Sequence, residues 1–330
     1  MTALVRRKRE IRGNDGALVP VEGIVSGDIE QDLLGLDPTD HEIDLVVHCA
    51  ASLEFDAPEE QLYRANVLGT RNAVEFARAC DANLLHVSTA YVCGLRDGPI
   101  FEAPVPDGTQ FANGYEASKA AAERVVAGSG VPFAIARPSI TLGDSATGAI
   151  RHFPSLCNVF RLMARGKVTQ FPASAGSTLN LVPIDHVAEG LVRIAEPMEE
   201  AQGGYFHLVT DSPLPSTELA RGVARVAHFP DPLVVDPEYY DAAILSPAER
   251  RVAERMLGTF GSYFQRNPKF DDSKFRALTG LCPASTDAEW LDRLIAYGIA
   301  AGYLPQAVSV HPDSGVPAAH ARPTPTAPLP

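Results

Sequence analysis

No apolar run in this 330-residue chain approaches the roughly 18 residues that a membrane helix needs, so the sequence predicts no membrane span. Its five cysteines, Cys49, Cys80, Cys93, Cys157 and Cys282, show no C-x-x-C spacing, and their odd number argues against a disulfide framework. They read as reduced and mostly packed. The nine histidines include no H-E-x-x-H or other ligand spacing, so no metal site is expected. Positive charge is scarce too: the formal net charge is -13, and an acidic surface repels nucleic-acid phosphate. The basic start M-T-A-L-V-R-R-K-R-E has no apolar stretch behind it and does not read as a secretory signal, so a cytoplasmic location is expected. What is left is a chain with 45% hydrophobic residues, long enough for one big domain or a domain with an attached cap.

Against those absences stands one dense stretch, Phe111 to Glu123, reading F-A-N-G-Y-E-A-S-K-A-A-A-E. Ala117 to Val126 is rich in alanine and glutamate with no interior glycine or proline, which predicts a helix. Residues four apart on a helix share a face, so Tyr115 and Lys119 are expected side by side. An ammonium beside a phenol favours the phenolate, lowering the Tyr pKa and making the hydroxyl a proton donor or acceptor near neutral pH. Upstream, the apolar run Asn83 to Val87 ends in Ser88 and Thr89. In an open parallel sheet, ligands bind outside the carboxyl ends of the strands, where these hydroxyls would meet a substrate carbonyl beside Tyr115. His48 and His86, in or flanking buried strands, read as hydrogen-bonded core histidines.

The segments H-V-S-T-A-Y-V-C-G and F-A-N-G-Y-E-A-S-K-A-A-A-E resemble the extended short-chain dehydrogenase/reductase family. The resemblance is to the branch of thioester reductase domains and fatty acyl-CoA reductases. It implies an α/β fold, a Rossmann-like doubly wound parallel sheet with a smaller, mostly helical C-terminal substrate lobe. It also makes Thr89 the substrate hydroxyl, with Ser88 a second candidate, Tyr115 the acid/base and Lys119 the holder of the nicotinamide ribose. Asp28, with Ile29 after it, would face the adenine, and Asn66 would brace the active-site strand. Ala50 and Ala51 would let backbone approach the cofactor, and Pro138 closes the last strand before the substrate lobe. Arg6 and Arg7 end the first β-prone run, Thr2 to Val5; basic residues there suit a ribose 2′-phosphate and favour NADP over NAD, unless they are simply a solvated basic start.

The strand-helix alternation assigns 1–140 and 176–212 to the dinucleotide lobe and 141–175 and 213–304 to the substrate lobe. The Pro-rich residues 305–330 read as a disordered tail. The loop from Gly94 to Asn113 is expected at the pocket rim, and Asp185 as a helix cap. Arg151, Arg161, Arg165 and Lys167 form a basic patch, either a solvated helix end or a seat for a coenzyme A phosphate or an acidic carrier protein.

The expected activity is NADPH-dependent reduction of a carbonyl or acyl thioester, and the substrate is a small molecule or a thioester. The alternatives are a nucleotide-sugar epimerase or dehydratase with the same triad, or a non-catalytic binding protein. The last is kept because the first strand and helix of a dinucleotide lobe, with their G-x-x-G-x-x-G loop, have no counterpart here: Thr2 to Val5 already matches the family's second strand. The expectation is an empty slot between the strands at Thr2 and Asp44, weak NADPH binding, a tendency to aggregate, and a start at Met1 that is too late.

Overall fold

The computed structural model describes residues 1–7, 10–55 and 57–307. Residues 308–330, most of the expected Pro-rich tail, lie outside them. Four parallel strands form the main sheet: β3 (Leu45–His48), β4 (Asn83–Val87), β5 (Phe133–Pro138) and β6 (Tyr205–Leu208), adjacent in that order. Helix α1 (Gly69–Ala79) joins β3 to β4 and helix α2 (Gly114–Ala127) joins β4 to β5.

Side chains alternate across a strand, and here both faces are covered. Leu84, Ile135 and Tyr205 pack with Val74 and Ala77 of α1 and Val126 of α2. Their neighbours Leu85, Ala134, Ala136, Phe206 and Leu208 pack on the opposite side with Val187 and Ile194 of a later helix, Ile184–Ala195. The doubly wound parallel sheet expected from the sequence is therefore present.

Strands β1 (Thr2–Val5) and β2 (Gly23–Ser26) also run parallel, but they form a sheet of their own. Among the described residues β1 and β2 pair only with each other and β3 pairs only with β4, which leaves β3 an open edge. Its consequence is visible in exposure: Val47 of β3 is 46% exposed, although it sits in an apolar run.

The largest cluster of buried apolar side chains lies elsewhere and joins helix α3 (Cys157–Ala164), the helices Glu218–Ala224 and Pro247–Phe260, and Trp290 to Ile295 of the helix Ala288–Ala300. The Pro247–Phe260 helix starts with a capping box between Ser246 and Glu249 and a proline in its first turn, which fixes where it begins.

Three local expectations are corrected. Asp185 caps no helix; its carboxylate accepts from the Ser145 amide (2.9 Å) and hydroxyl (2.6 Å), tying a neighbouring loop to the helix start. The loop after Gly94 does not line the pocket described below. Instead, Gly98–Ile100 pairs with Pro268–Phe270, and buried Glu102 accepts from the amides of His207, Lys274 and Phe275 at 2.7, 2.5 and 3.1 Å. Burial pushes Glu102 up to about 7 against the pull of those three N–H groups. Of the cysteines only Cys93 and Cys157 are buried, while Cys49 and Cys282 are exposed because each lies at a strand or loop end.

Candidate active site

A cavity of about 390 Å³ opens at the carboxyl ends of β3, β4 and β5. Its floor holds Ala51, Ser88, Thr89, Tyr115, Lys119 and Pro138, so the strand ends and α2 bring six of the twelve site residues singled out in the sequence to one place. Its walls come from segments the motifs did not mark: Leu53, Phe55, Leu156, Phe260 and Tyr263.

Tyr115 sits in the first turn of α2, which starts three residues earlier than alanine content alone indicates, because Asn113 caps it by accepting from the Glu116 amide at 2.9 Å. Tyr115 and Lys119 share the buried face of that helix. The ammonium of Lys119 donates to Val87 O at 2.8 Å and lies 3.4 Å from His86 Nε2. An ammonium has three N–H groups, so one remains for a further acceptor. Burial pushes Lys119 down to about 8, opposed by the nearby Glu123 and Cys49.

The expected lowering of the Tyr115 pKa is corrected: burial pushes the phenol up to about 12, and the Thr89 hydroxyl, by hydrogen bonding, offsets only part of this. Lys119 spends its charge on the Val87 carbonyl and His86 rather than on the phenol, so desolvation wins.

Thr89, at 7% exposure, accepts from the Tyr91 amide at 3.3 Å, while the Ser88 hydroxyl, at 6%, is buried without a hydrogen-bond partner. Asn66 is fully buried and holds the chain after β3: its carbonyl accepts from Ser52 N at 2.7 Å and its amide donates to Ser52 O at 3.1 Å and Ser118 Oγ at 2.9 Å. A brace between the β3 exit and α2 is what these bonds make. His48 behaves as expected, 3.1 Å from the Thr70 hydroxyl, whereas His86 keeps one ring nitrogen, Nδ1, unpartnered. Burial pushes His48 down to about 3, so it is neutral.

Six expected cofactor residues lie away from this floor: Asn66, the brace just described, and Arg6, Arg7, Asp28, Ile29 and Ala50. Arg6 pairs with Asp28 (Nε to Oδ2, 2.8 Å), so the proposed 2′-phosphate ligand and the proposed adenine ligand face each other. Arg7 is exposed. Ile29 packs against Gly69, where a Cβ would come within 2.9 Å of it, and its carbonyl accepts from Asn72. Ala50 is exposed beside the cavity-lining Ala51.

Whether these residues fit a nicotinamide cofactor can be judged at both ends. The floor fits the nicotinamide end: a spare N–H on Lys119, an unpartnered hydroxyl on Ser88 and small side chains where the strands end. Arg6 and Asp28, just past the ends of β1 and β2, are paired with each other and would be the charged groups met by an adenine ribose placed there.

Residues 22–191 match the family model described as "Male sterility protein". The chain belongs to that family. Within the extended short-chain dehydrogenases/reductases this is the fatty acyl-CoA reductase-like branch, a group of oxidoreductases. The chain is 27% identical over 213 residues to the nonribosomal peptide synthetase asaC of Aspergillus flavus, covering 59% of this chain and 21% of that one. It is 26% identical over 231 residues to fatty acyl-CoA reductase 1 of Arabidopsis thaliana, covering 52% and 47%. It therefore spans less than half the length of either relative. The crystal structure of the terminal R domain from the myxalamid PKS-NRPS biosynthetic pathway superposes with a TM-score of 0.72 at 28% identity, covering 85% of this chain and 75% of that one.

Basic residues of the expected patch divide. Arg151 donates to Gly13 O at 3.2 Å, and Arg161 donates to Asn158 Oδ1 at 2.6 Å and lies over the Tyr303 ring. Arg165 and Lys167 remain exposed. Among the described residues no helix is long and apolar enough to cross a membrane, and no cluster of His, Cys, Asp and Glu could hold a metal ion.

Proposed function

We propose that this protein is an NADPH-dependent reductase of an acyl thioester or the carbonyl derived from it, using Thr89, Tyr115 and Lys119. The observation that carries the reading is their convergence on the floor of a cavity whose walls are apolar. A thioester carbonyl placed there would lie with its oxygen between the Thr89 and Tyr115 hydroxyls. NADPH supplies a hydride to the carbonyl carbon when bound. Negative charge then develops on the oxygen, and two hydroxyls fixed beforehand in a low-dielectric site stabilise it better than mobile water does.

A phenol held near 12 stays protonated at neutral pH, the form that can give its proton to that oxygen. The resulting hemithioacetal releases the thiol and leaves an aldehyde. Lys119, through its spare N–H, would hold a ribose hydroxyl and keep the ring over the substrate. The thioester would arrive on coenzyme A or on a carrier protein, with exposed Arg165 and Lys167 available to an acidic or phosphate-bearing carrier.

The test is NADPH oxidation with acyl-CoA and with carrier-bound acyl thioester at saturating cofactor, with the aldehyde trapped as it forms. Aldehyde produced in step with NADPH consumed is expected, and more slowly with NADH. No consumption with any thioester or aldehyde, or turnover of a UDP-sugar instead, would remove the proposal.

A further inference from the structure

The wall and floor of the cavity are joined by a buried polar cluster that neither the motif residues nor the cofactor reading uses. Glu116, the residue after Tyr115, is fully buried. One carboxylate oxygen, Oε2, accepts from the Ala112 amide at 2.9 Å and so helps close the first turn of α2. The other, Oε1, accepts from the Tyr263 hydroxyl at 2.7 Å and from Arg266 Nη2 at 3.1 Å. The Tyr263 oxygen accepts in turn from Nδ2 of Asn113, the cap of the same helix, at 3.2 Å. Arg266 donates to the carbonyl of Gly94, just beyond the strand end that presents Thr89. Gly94 has a φ of 65°, and a Cβ there would lie 2.1 Å from Gln110 O, so this carbonyl is held in place by backbone no other residue would adopt.

Tyr263 has a second contact surface. Its ring lines the cavity beside Phe55 and Phe260, and Phe55 stands edge-on to Tyr115 with centroids 5.2 Å apart. A substrate filling the apolar end of the cavity therefore presses on a ring whose hydroxyl is bonded to both ends of the turn that carries Tyr115. The charge of Glu116 is already met by Arg266 and the Ala112 amide. The Tyr263 hydroxyl is not needed for neutralisation, and what it adds is position.

We propose that Tyr263 is a positioning residue: through Glu116 and Asn113 it sets the place of the Tyr115 hydroxyl from the substrate lobe, so that the acyl-binding wall and the proton donor act as one unit. The proposal rests on the reductase reading above and adds a residue to it.

Tyr263→Phe keeps the wall and removes the link. We expect kcat to fall about tenfold with KM for the thioester within about twofold of wild type, since even an ångström of misplacement at a reacting group is costly. Tyr263→Leu, which also removes the wall, should raise KM as well. Glu116→Gln keeps an oxygen that can accept from Tyr263 but weakens that bond, so it should lower kcat by less than Tyr263→Phe does, and Tyr263→Phe should cost less in the Glu116→Gln background than in wild type, because residues acting through one another are not additive.

The last readout needs no turnover: in the tyrosine ring-labelled chain, the Tyr115 resonance, assigned by its loss in Tyr115→Phe, should shift in Tyr263→Phe. If wild type reduces no thioester, the reductase reading fails while this spectrum still tests the link. An unmoved Tyr115 resonance, a kcat within about twofold of wild type in Tyr263→Phe, or additive losses in the double variant would overturn the proposal.

Discussion

The four-stranded sheet and the β1–β2 pair are built from similar sequence, short apolar runs of four to six residues, yet they end in different states. In β5 and β6 nearly every residue is buried; in β1 and β2 intermediate and exposed residues alternate. Composition does not explain this, since T-A-L-V of β1 holds as many apolar residues as Y-F-H-L of β6. Neighbours do. β4, β5 and β6 are packed on both faces, β6 even though it pairs only with β5, whereas among the described residues β1 and β2 belong to no covered cluster of this kind, and β3, whose far edge is open, exposes Val47. The groups proposed to do chemistry all rest on the covered sheet; those proposed to select the cofactor, Arg6 and Asp28, rest on the pair.

If that division is right, damage to the covered sheet should be large and damage to the pair small. Tyr115→Phe should lower kcat for reduction by a hundredfold to ten-thousandfold, about the value of a general acid, with cofactor affinity nearly unchanged. A loss under about tenfold would point to another donor. Stability should be equally sensitive there. Arg137 and Glu123 form a bidentate pair at 2.7 and 2.9 Å with both side chains 3% exposed, joining β5 to α2. Arg137→Met leaves Glu123 buried without its bidentate partner and should cost about 3–5 kcal/mol in urea unfolding, toward the lower end because the Lys119 ammonium is nearby. Thr89→Val comes next: removing one oxyanion donor costs about a hundredfold to a thousandfold. Ser88→Ala should cost clearly less, because it is the Thr89 hydroxyl, not that of Ser88, that pulls on the Tyr115 pKa. The reverse order would exchange their roles.

The covered sheet was also the part most legible in the sequence. Asn83–Val87 is found with the bounds expected, and Thr89, Tyr115 and Lys119 share one cavity because strand end and helix face are short-range consequences of local pattern. The cavity's walls were not legible. Tyr263 and Phe260 lie some 150 residues from Tyr115, and an aromatic in a helix end carries no mark of which cavity it will face. Glu116 was in plain view inside the central motif, but its role depends on Arg266, a pairing that only the folded chain makes. The Tyr115 pKa departs from the expectation for a related reason: spacing places Lys119 beside the phenol, but does not show the Val87 carbonyl that accepts its hydrogen bond.

Lys119 gives the comparison a pH-dependent edge. Its ordinary pKa of 10.5 is held to about 8 by burial in the folded chain. Below about 8 both states are charged and the folded one bears the desolvation cost in full. Between about 8 and 10.5 the unfolded chain binds the extra proton, so raising the pH relieves the cost and this contribution to stability grows. Urea midpoints measured from neutral to pH 10 should therefore rise for wild type relative to Lys119→Met. Parallel curves for the two proteins would show that the ammonium is not desolvated as described.

The smallest effect belongs to the pair. Arg6 and Asp28 are 2.8 Å apart, but the Arg6 side chain is 61% exposed, and an ion pair so open to water is worth about 0.2–1 kcal/mol. Arg6→Ala should shift unfolding by no more than that, within reach of a careful denaturant titration and far below the effect of Arg137→Met. Backbone amides of β1 and β2 should exchange with solvent faster than those of β4 and β5 in wild type and variant alike, since few buried contacts hold them closed. The informative readout is cofactor choice. If Arg6 meets a ribose 2′-phosphate it must share its charge with Asp28, so Arg6→Ala should weaken NADPH several-fold and leave NADH nearly unchanged, while Asp28→Asn, which frees the guanidinium, should move NADPH affinity the other way. Equal losses for both cofactors in Arg6→Ala would mean that this arginine supports the turn between β1 and β2 and selects nothing.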